Sequence, residues 1–279
     1  MKVSIIIAVY KDHQALDLIL EQLMLQDHSN FEVIIAEDAR SKEVPLLVKK
    51  YSDLNIVHCN QEDNGIQKMR SQNNAIIASS GEYLIFIDGD CIPYPNFISS
   101  HADCAKPGCL LSGRRVNLGP SFSQFIRQKK LKSNYIAKYF LLFFFPLLID
   151  GNEGHIESGF YFNPNGFIYK KIISKLKRST SILGCNFSCY KHDILAINGF
   201  DEGYGETAIG DDTDIEWRFK AYGVKIKSVK NIANVFHLYH EKRTKIIPNY
   251  QEMLILMEQR KKNNNYIADI GLDSHEVSS

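Results

Sequence analysis

Long apolar runs are the first thing this sequence lacks. No stretch reaches the ~20 residues that a membrane-spanning helix needs. The longest candidate, Tyr139 to Ile149, is about half that length and carries Pro146 as an expected break. The apolar stretch beginning at Val3 is only a few residues long and has no small-residue cleavage site behind it, which reads against a secretory signal. Net charge is missing too. With 33 basic and 32 acidic residues the formal balance is +1, which excludes a dedicated nucleic-acid binder and makes any basic surface local. The six cysteines are scattered, and Cys185 and Cys189, four apart, have no second pair at metal-ligand spacing. Reduced thiols in a cytoplasmic protein fit that pattern better than a disulfide or zinc framework. Glycine is absent from Val9-Tyr10-Lys11-Asp12-His13, so the glycine-rich phosphate loop expected of a nucleotidyltransferase does not follow the first apolar run. Internal repeats and low-complexity linkers are also missing, and 279 residues fit one large domain.

What is present is an alternation of strand and helix. Val3 to Val9 is a continuous Val/Ile-rich run, the signature of a strand buried on both faces. Ala15, Leu18, Ile19 and Leu23 then recur at helical spacing across Gln14 to Leu25. Strands are expected at Phe31 to Ala36, Asn55 to Cys59 and Tyr83 to Ile87, with helices at Val44 to Tyr51 and Ile66 to Ala78. This order implies an α/β fold with a mostly parallel sheet flanked by helices. Ligands of such sheets lie at the carboxyl ends of the strands, which points to Tyr10, Asp38, Asp88 and Asp90.

The second half is less regular. A strand is expected within Ser181 to Tyr190, short helices at His192 to Asn198 and Asp214 to Tyr222, an extended segment from Val224 to His237, and a helix from Pro248 to Gln259. The polar residues from Lys261 onward read as a fraying tail. Between Phe122 and Ile149, Lys and Arg interleave with aromatic and aliphatic residues. That stretch reads as an acceptor-side helix packed on the core, with a membrane-surface patch as the alternative.

Three constellations carry chemistry. In Asp88-Gly89-Asp90, two carboxylates flank a glycine at a strand end, a hard-oxygen arrangement suited to Mg²⁺ or Mn²⁺ with a diphosphate. Gly210-Asp211-Asp212-Thr213-Asp214 opens a helix; capping and the helix dipole explain one or two acids there, less easily three. Crowded carboxylates raise one another's proton affinity, which suits a base. His237-Leu238-Tyr239-His240 ends an extended segment and offers a late metal ligand.

The first half resembles the inverting glycosyltransferases of family 2, which have the GT-A (Rossmann-like) nucleotide-diphospho-sugar transferase fold. The resemblance rests on Ser4-Ile5-Ile6-Ile7-Ala8-Val9-Tyr10-Lys11, Ile34-Ile35-Ala36-Glu37-Asp38, Arg70-Ser71-Gln72-Asn73 and Gly81 to Asp90. The second half resembles the C-terminal region of β-1,4-galactosyltransferase and chondroitin-synthase enzymes at Gly184-Cys185-Asn186, Gly199-Phe200-Asp201-Glu202, Gly210 to Asp214 and the two histidines. Ala8, Glu37 and Asp211 depart from the residues commonest at those places.

The resemblance implies a single domain over 1–260, with a nucleotide-binding half (1–110) and an acceptor and catalytic half (111–260), followed by the tail 261–279. Ala8, Val9 and Tyr10 would border the nucleobase and Asp38 would accept from the uracil N–H, while Arg70, Asn73, Asp88 and Gly89 would line the nucleotide site. Asp90, with Asp88 near it, would ligate Mn²⁺ or Mg²⁺, completed by His237 or His240. Asp212 would be the catalytic base and Asp211 would contact donor sugar or acceptor. The implied reaction moves a Gal-, GalNAc- or Glc-type hexose from a UDP-sugar to an oligosaccharide or lipid-linked glycan with inversion. By family analogy it belongs to bacterial surface polysaccharide synthesis, in the cytoplasm or peripherally on the cytoplasmic face of the inner membrane. A non-catalytic carbohydrate-binding relic and a sugar nucleotidyltransferase are the competing readings.

Overall fold

A computed structural model describes residues 1–151, 153–241 and 249–275. The chain begins with β1 (Val3–Val9), α1 (His13–Leu23), β2 (Phe31–Glu37), α2 (Glu43–Lys50), β3 (Ile56–Asn60), α3 (Lys68–Ala78) and β4 (Tyr83–Asp88). There follow β5 (Cys91–Pro93), α4 (Phe97–Cys104), β6 (Cys109–Ser112), β7 (Arg114–Asn117), α5 (Pro120–Arg127), α6 (Ser133–Lys138), α7 (Phe140–Asp150) and α8 (Phe167–Lys171). The last third holds β8 (Asn186–Tyr190), α9 (Lys191–Ala196), α10 (Thr213–Tyr222), β9 (Lys225–Ser228), β10 (Asn234–His237) and α11 (Tyr250–Asn263).

Seven strands form the main sheet in the order β3-β2-β1-β4-β8-β6-β9. The pairs among β3, β2, β1 and β4 are parallel, as is β6 with β9, and β8 runs opposite to both its neighbours. Period-two alternation divides the side chains of the first strands between two faces. Ile5, Ile7, Val33, Ile35, Ile85 and Ile87 pack with Leu16 and Ile19 of α1. Ile6, Ile34, Leu84 and Phe86 pack on the other face with Met69 and Ile76 of α3 and Ile215 and Phe219 of α10. Both faces are covered, which is why these strands read as unbroken apolar runs.

A second sheet, β5-β10-β7, stands beside the strand ends. It splits the segment expected to be extended from Val224 to His237: β9 closes the main sheet, Asn231 turns with φ 66°, and β10 enters the small sheet. The expected strand at Ser181 to Tyr190 is confined to β8, and β5 to β7 lack an apolar run long enough to announce them.

Two expectations need correction. Pro146 does not break the apolar stretch, because α7 runs from Phe140 to Asp150 with the proline inside it. The lost backbone donor is tolerated on an exposed face, where water reaches the freed carbonyl. The residues after Lys261 do not fray as far as they are described. Ala268 is buried, Asn198 Nδ2 donates to Ala268 O at 2.9 Å and to Asp273 Oδ1 at 2.7 Å, and His275 pairs with Glu202. Pro248, the expected helix start, lies outside the described residues; the helix there is α11.

Candidate active site

A cleft of about 730 Å³ opens at the carboxyl ends of β1, β2 and β4, against the small sheet. Its walls include Ala8, Val9 and Tyr10 from the end of β1, Asp38 just past β2, and Asp88, Gly89 and Asp90 after β4. His237 and His240 line it beside Asp90. A volume of that size suits a nucleotide-sized ligand.

At the β1 end the backbone is tightly drawn. Gly89 N–H donates to Ala8 O at 2.7 Å, and a Cβ on Gly89 would stand 2.8 Å from that oxygen. Only glycine lets the Asp88–Asp90 turn lie this close beneath β1. Asp38 is buried and its two oxygens accept from Gln67 N–H at 2.7 Å and Gln61 Nε2 at 2.8 Å. Burial raises the Asp38 carboxyl above its ordinary pKa, and these two donors only partly offset that.

Asp90 and His237 are 147 positions apart in sequence and meet because β5 and β10 pair antiparallel, with His237 opposite Cys91. Leu238 N–H donates to Asp90 O at 3.0 Å, fixing the turn. His237 Nε2 lies 3.5 Å and His240 Nε2 3.4 Å from Asp90 Oδ2. The three ligand atoms fall within 4.8 Å of one another, and no other such group includes an acid of this cleft among the described residues. Burial works to raise the Asp90 pKa, but the hydrogen bond and charge of His237 and the charge of His240 prevail and hold it at about 2. One carboxylate and two imidazoles on one side of a cleft fit a divalent ion with positions left for ligand oxygens.

Asp88 is not part of that group. Its Oδ1 lies 2.6 Å from Lys68 Nζ, and the same ammonium lies 2.6 Å from Asp211 Oδ2. Burial favours a neutral Lys68, yet the two carboxylates outweigh it and keep the ammonium charged. Asp211 is raised to about 6, first by burial and then by the neighbouring Asp88 and Asp212, with Lys68 opposing. A Cβ on Gly184 would come 2.6 Å from the Asp211 carboxyl, so glycine there leaves the room this side chain occupies.

The three acids at the start of α10 have separate fates. Asp214 is fully buried and accepts from Tyr204 Oη at 2.7 Å, Trp217 Nε1 at 2.8 Å and Arg218 Nε at 2.5 Å, a structural knot. Asp211 is bound to Lys68. Asp212 stands at the helix N-cap, but its side chain makes no capping bond and, among the described residues, accepts only from Thr213 Oγ1 at 3.1 Å. The capping explanation therefore does not account for its carboxylate. Neither Asp211 nor Asp212 lines the cleft; Lys68 stands between Asp211 and the opening.

Two expected nucleotide-site residues lie elsewhere. Arg70 is exposed outside the cleft. Asn73 is buried, donating to Phe200 O at 2.9 Å and Glu202 Oε1 at 2.8 Å and accepting from Phe200 N–H. On α3 the cleft receives Lys68 and Ser71 instead, one helical turn apart. Sequence reading also misses Asp12, whose carboxylate caps α1 and is gripped by Arg127 at 2.6 and 2.9 Å, and Arg115 and Asn117 from β7. Spacing gave no signal for Lys68, because the buried residues of α3 (Met69, Ser71, Gln72, Asn73, Ala75 and Ile76) fall on more than one face of the helix.

Comparison with known proteins gives two family matches. Residues 4–162 match glycosyl transferase family 2, and residues 172–241 match the N-terminal domain of galactosyltransferase. The chondroitin synthase of Escherichia coli is 27% identical over 135 residues, 46% of this chain and 20% of that protein. The poly(ribitol-phosphate) β-N-acetylglucosaminyltransferase TarS of Staphylococcus aureus is 29% identical over 93 residues, 32% of this chain and 16% of that protein. The alignments thus span less than a third of these relatives' own lengths. Among solved structures, TarS in complex with UDP-GlcNAc superposes with a TM-score of 0.62 at 16% identity, over 98% of this chain and 69% of that one. A mannosyltransferase from Pyrobaculum calidifontis in complex with GDP-Man and Mn²⁺ gives 0.54 at 14% identity, over 95% and 70%. With more than half of its length matched by the family model and its fold shared with these structures, the chain belongs to glycosyl transferase family 2 and has the GT-A fold.

Proposed function

We propose that this protein transfers a hexose of the galactose, N-acetylgalactosamine or glucose type from a UDP-sugar to a glycan or lipid-linked glycan, with inversion and with a divalent metal. The observation that carries the reading is the Asp90, His237 and His240 cluster in a cleft also lined by Ala8, Val9, Tyr10 and Asp38. The spacing suits a nucleotide diphosphate, with the base against β1 and Asp38 and the phosphates toward the histidines. Structures related by fold hold UDP-GlcNAc in TarS and GDP-Man with Mn²⁺ in the mannosyltransferase.

Two imidazoles beside one carboxylate favour Mn²⁺ over Mg²⁺, which takes mainly oxygen ligands. Asp90, His237 and His240 would hold a divalent ion, which would supply Lewis-acid neutralisation of charge on the departing diphosphate. The chain's own residues do the rest. Asp38 orients the base, and Asp88 together with Lys68 forms the floor near the sugar. Asp212, whose carboxylate is not consumed by capping, takes the proton from the attacking acceptor hydroxyl. Attack from the face opposite the leaving group in a single displacement inverts the anomeric centre.

We place the enzyme in surface polysaccharide synthesis, in contact with the cytoplasmic face of a membrane, as a single domain over 1–260 on which residues 261–275 also pack. No helix among the described residues is long and apolar enough to cross one. A panel of sugar nucleotides, each tested for thermal stabilisation with and without Mn²⁺, checks the donor class. Stabilisation by one UDP-sugar that requires Mn²⁺ is the expected result. No stabilisation by any of them would leave the non-catalytic relic as the better reading.

A further inference from the structure

The inward side of α7 is ordinary: Phe140 and Leu147 are buried, and Phe143 and Phe144 are half-buried. These positions follow the helical spacing of a helix packed on one side. The outward side is not ordinary. Leu141 and Leu142 are each 74% exposed, Phe145 69%, Leu148 50% and Ile149 86%. No polar side chain stands between Phe140 and Ile149 to interrupt that face. A helix apolar on all sides belongs against a partner, and a contiguous exposed apolar patch marks an interaction site.

Charge selects the partner. From Ser121 to Ile149 the chain carries Arg127, Lys129, Lys130, Lys132 and Lys138 and no carboxylate at all, in a protein whose net charge is only +1. Arg127 is held by Asp12, and Lys129 by Asp17 and Glu21. Lys130, Lys132 and Lys138 are exposed and have no carboxylate partner among the described residues. Lys138 lies over the Tyr139 ring at 5.3 Å, and the Tyr135 ring lies 4.7 Å from Tyr139 and 6.0 Å from Phe143, so α6 packs on α7 and sets this cation at the patch edge. An apolar face with a lysine at its edge, in a segment of exposed lysines and no acids, matches a segment lying in the headgroup region of a bilayer. A second copy of the chain fits less well, because a two-fold contact through α7 would set the same cations against one another.

We infer that the outer face of α7, with Lys138 at its edge and the exposed Lys130 and Lys132 of the segment before it, docks on an anionic lipid bilayer. The inference gives a surface to the membrane contact of the proposed function and rests on that reading only for what the contact achieves. The Asp150 carboxylate at the end of α7 accepts from the N–H groups of Ser121 and Phe122 at 3.2 and 3.0 Å, and Glu153, three residues on, lines the cleft. A bilayer on α7 therefore lies close to the cleft mouth, where a lipid-linked acceptor would enter.

The test is co-sedimentation of the whole chain with vesicles of phosphatidylcholine alone and of equal parts phosphatidylcholine and phosphatidylglycerol, at low and high salt. Two variants accompany it: F145E with I149E, and K130A with K132A and K138A. All five positions are exposed, and an unchanged melting temperature confirms that the variants fold. The wild type should bind the phosphatidylglycerol vesicles and release them in high salt. The lysine variant should bind them about a hundredfold more weakly, roughly fivefold for each cation removed. The glutamate variant should lose at least about tenfold. No binding to either vesicle, or binding unchanged in both variants, overturns the inference. So does a dimer in sedimentation velocity that the glutamates abolish, which would assign the face to a second copy. Vesicle binding is read without sugar nucleotide, so its failure leaves the transferase reading standing, and a missing UDP-sugar response leaves bilayer docking standing.

Discussion

Lys68 Nζ lies 2.6 Å from Asp211 Oδ2 and thereby ties α3 to the loop that precedes α10, across 143 positions of sequence. The same ammonium holds Asp88, so one cation serves two largely buried carboxylates. In K68M both acids lose their counter-charge. Removing one partner of a largely buried ion pair costs about 3 kcal/mol. A urea titration of K68M should show that loss as a lower midpoint with an unchanged slope, and an unaltered midpoint would remove Lys68 from the account of how the site is held.

The Asp211 carboxyl, raised to about 6 in the folded chain from 3.8, gives a pH signature. A raised acid means that the folded state holds the proton more tightly than the unfolded one, so ionising it opposes folding. Its contribution to stability is therefore complete below pH ~4 and declines as pH rises through ~6. D211N should lose that part of the pH dependence while keeping an acceptor for Lys68. Equal pH slopes for wild type and D211N between those values would contradict the shift.

Asp90 runs the other way. Held at about 2 against 3.8, its contribution to stability is present above pH ~4 and disappears as pH falls through ~2. D90N should also abolish stabilisation by Mn²⁺, and H237A should weaken it more than H240A, because His237 is 7% exposed and fixed by the β5–β10 register while the His240 side chain is half exposed. Loss of a ligand should lower Mn²⁺ affinity by more than the ~10–100-fold typical of an outer partner. Calorimetric titration with Mn²⁺ alone measures it.

Asp212 and Asp214, two residues apart, should separate function from stability. D212N should lower kcat by roughly 10²–10⁴-fold with UDP-sugar binding within a few-fold of wild type. D214A should lower the unfolding free energy by about 3–5 kcal/mol, since Arg218 would be left buried without its carboxylate. Loss of donor binding in D212N, or a fully stable D214A, would reverse these roles.

The sequence by itself determined the first half of the fold. Unbroken Val/Ile runs mean strands covered on both faces, and the residue after each run must stand at the sheet's carboxyl edge, which is how Tyr10, Asp38, Asp88 and Asp90 could be named. Spacing could not say which face of α3 meets the cleft, because that helix is only weakly amphipathic; packing buries Asn73 against Phe200 and turns Lys68 and Ser71 inward. Nor could it rank three acids within four residues. Their roles depend on which partners the fold supplies: Lys68, 143 positions away, for Asp211, and Tyr204 from the preceding loop with Trp217 and Arg218 for Asp214. The choice between His237 and His240 was open in sequence for the same reason. A three-stranded sheet of short, unremarkable strands brings both rings to Asp90, and such strands exist only because their partners are already in place.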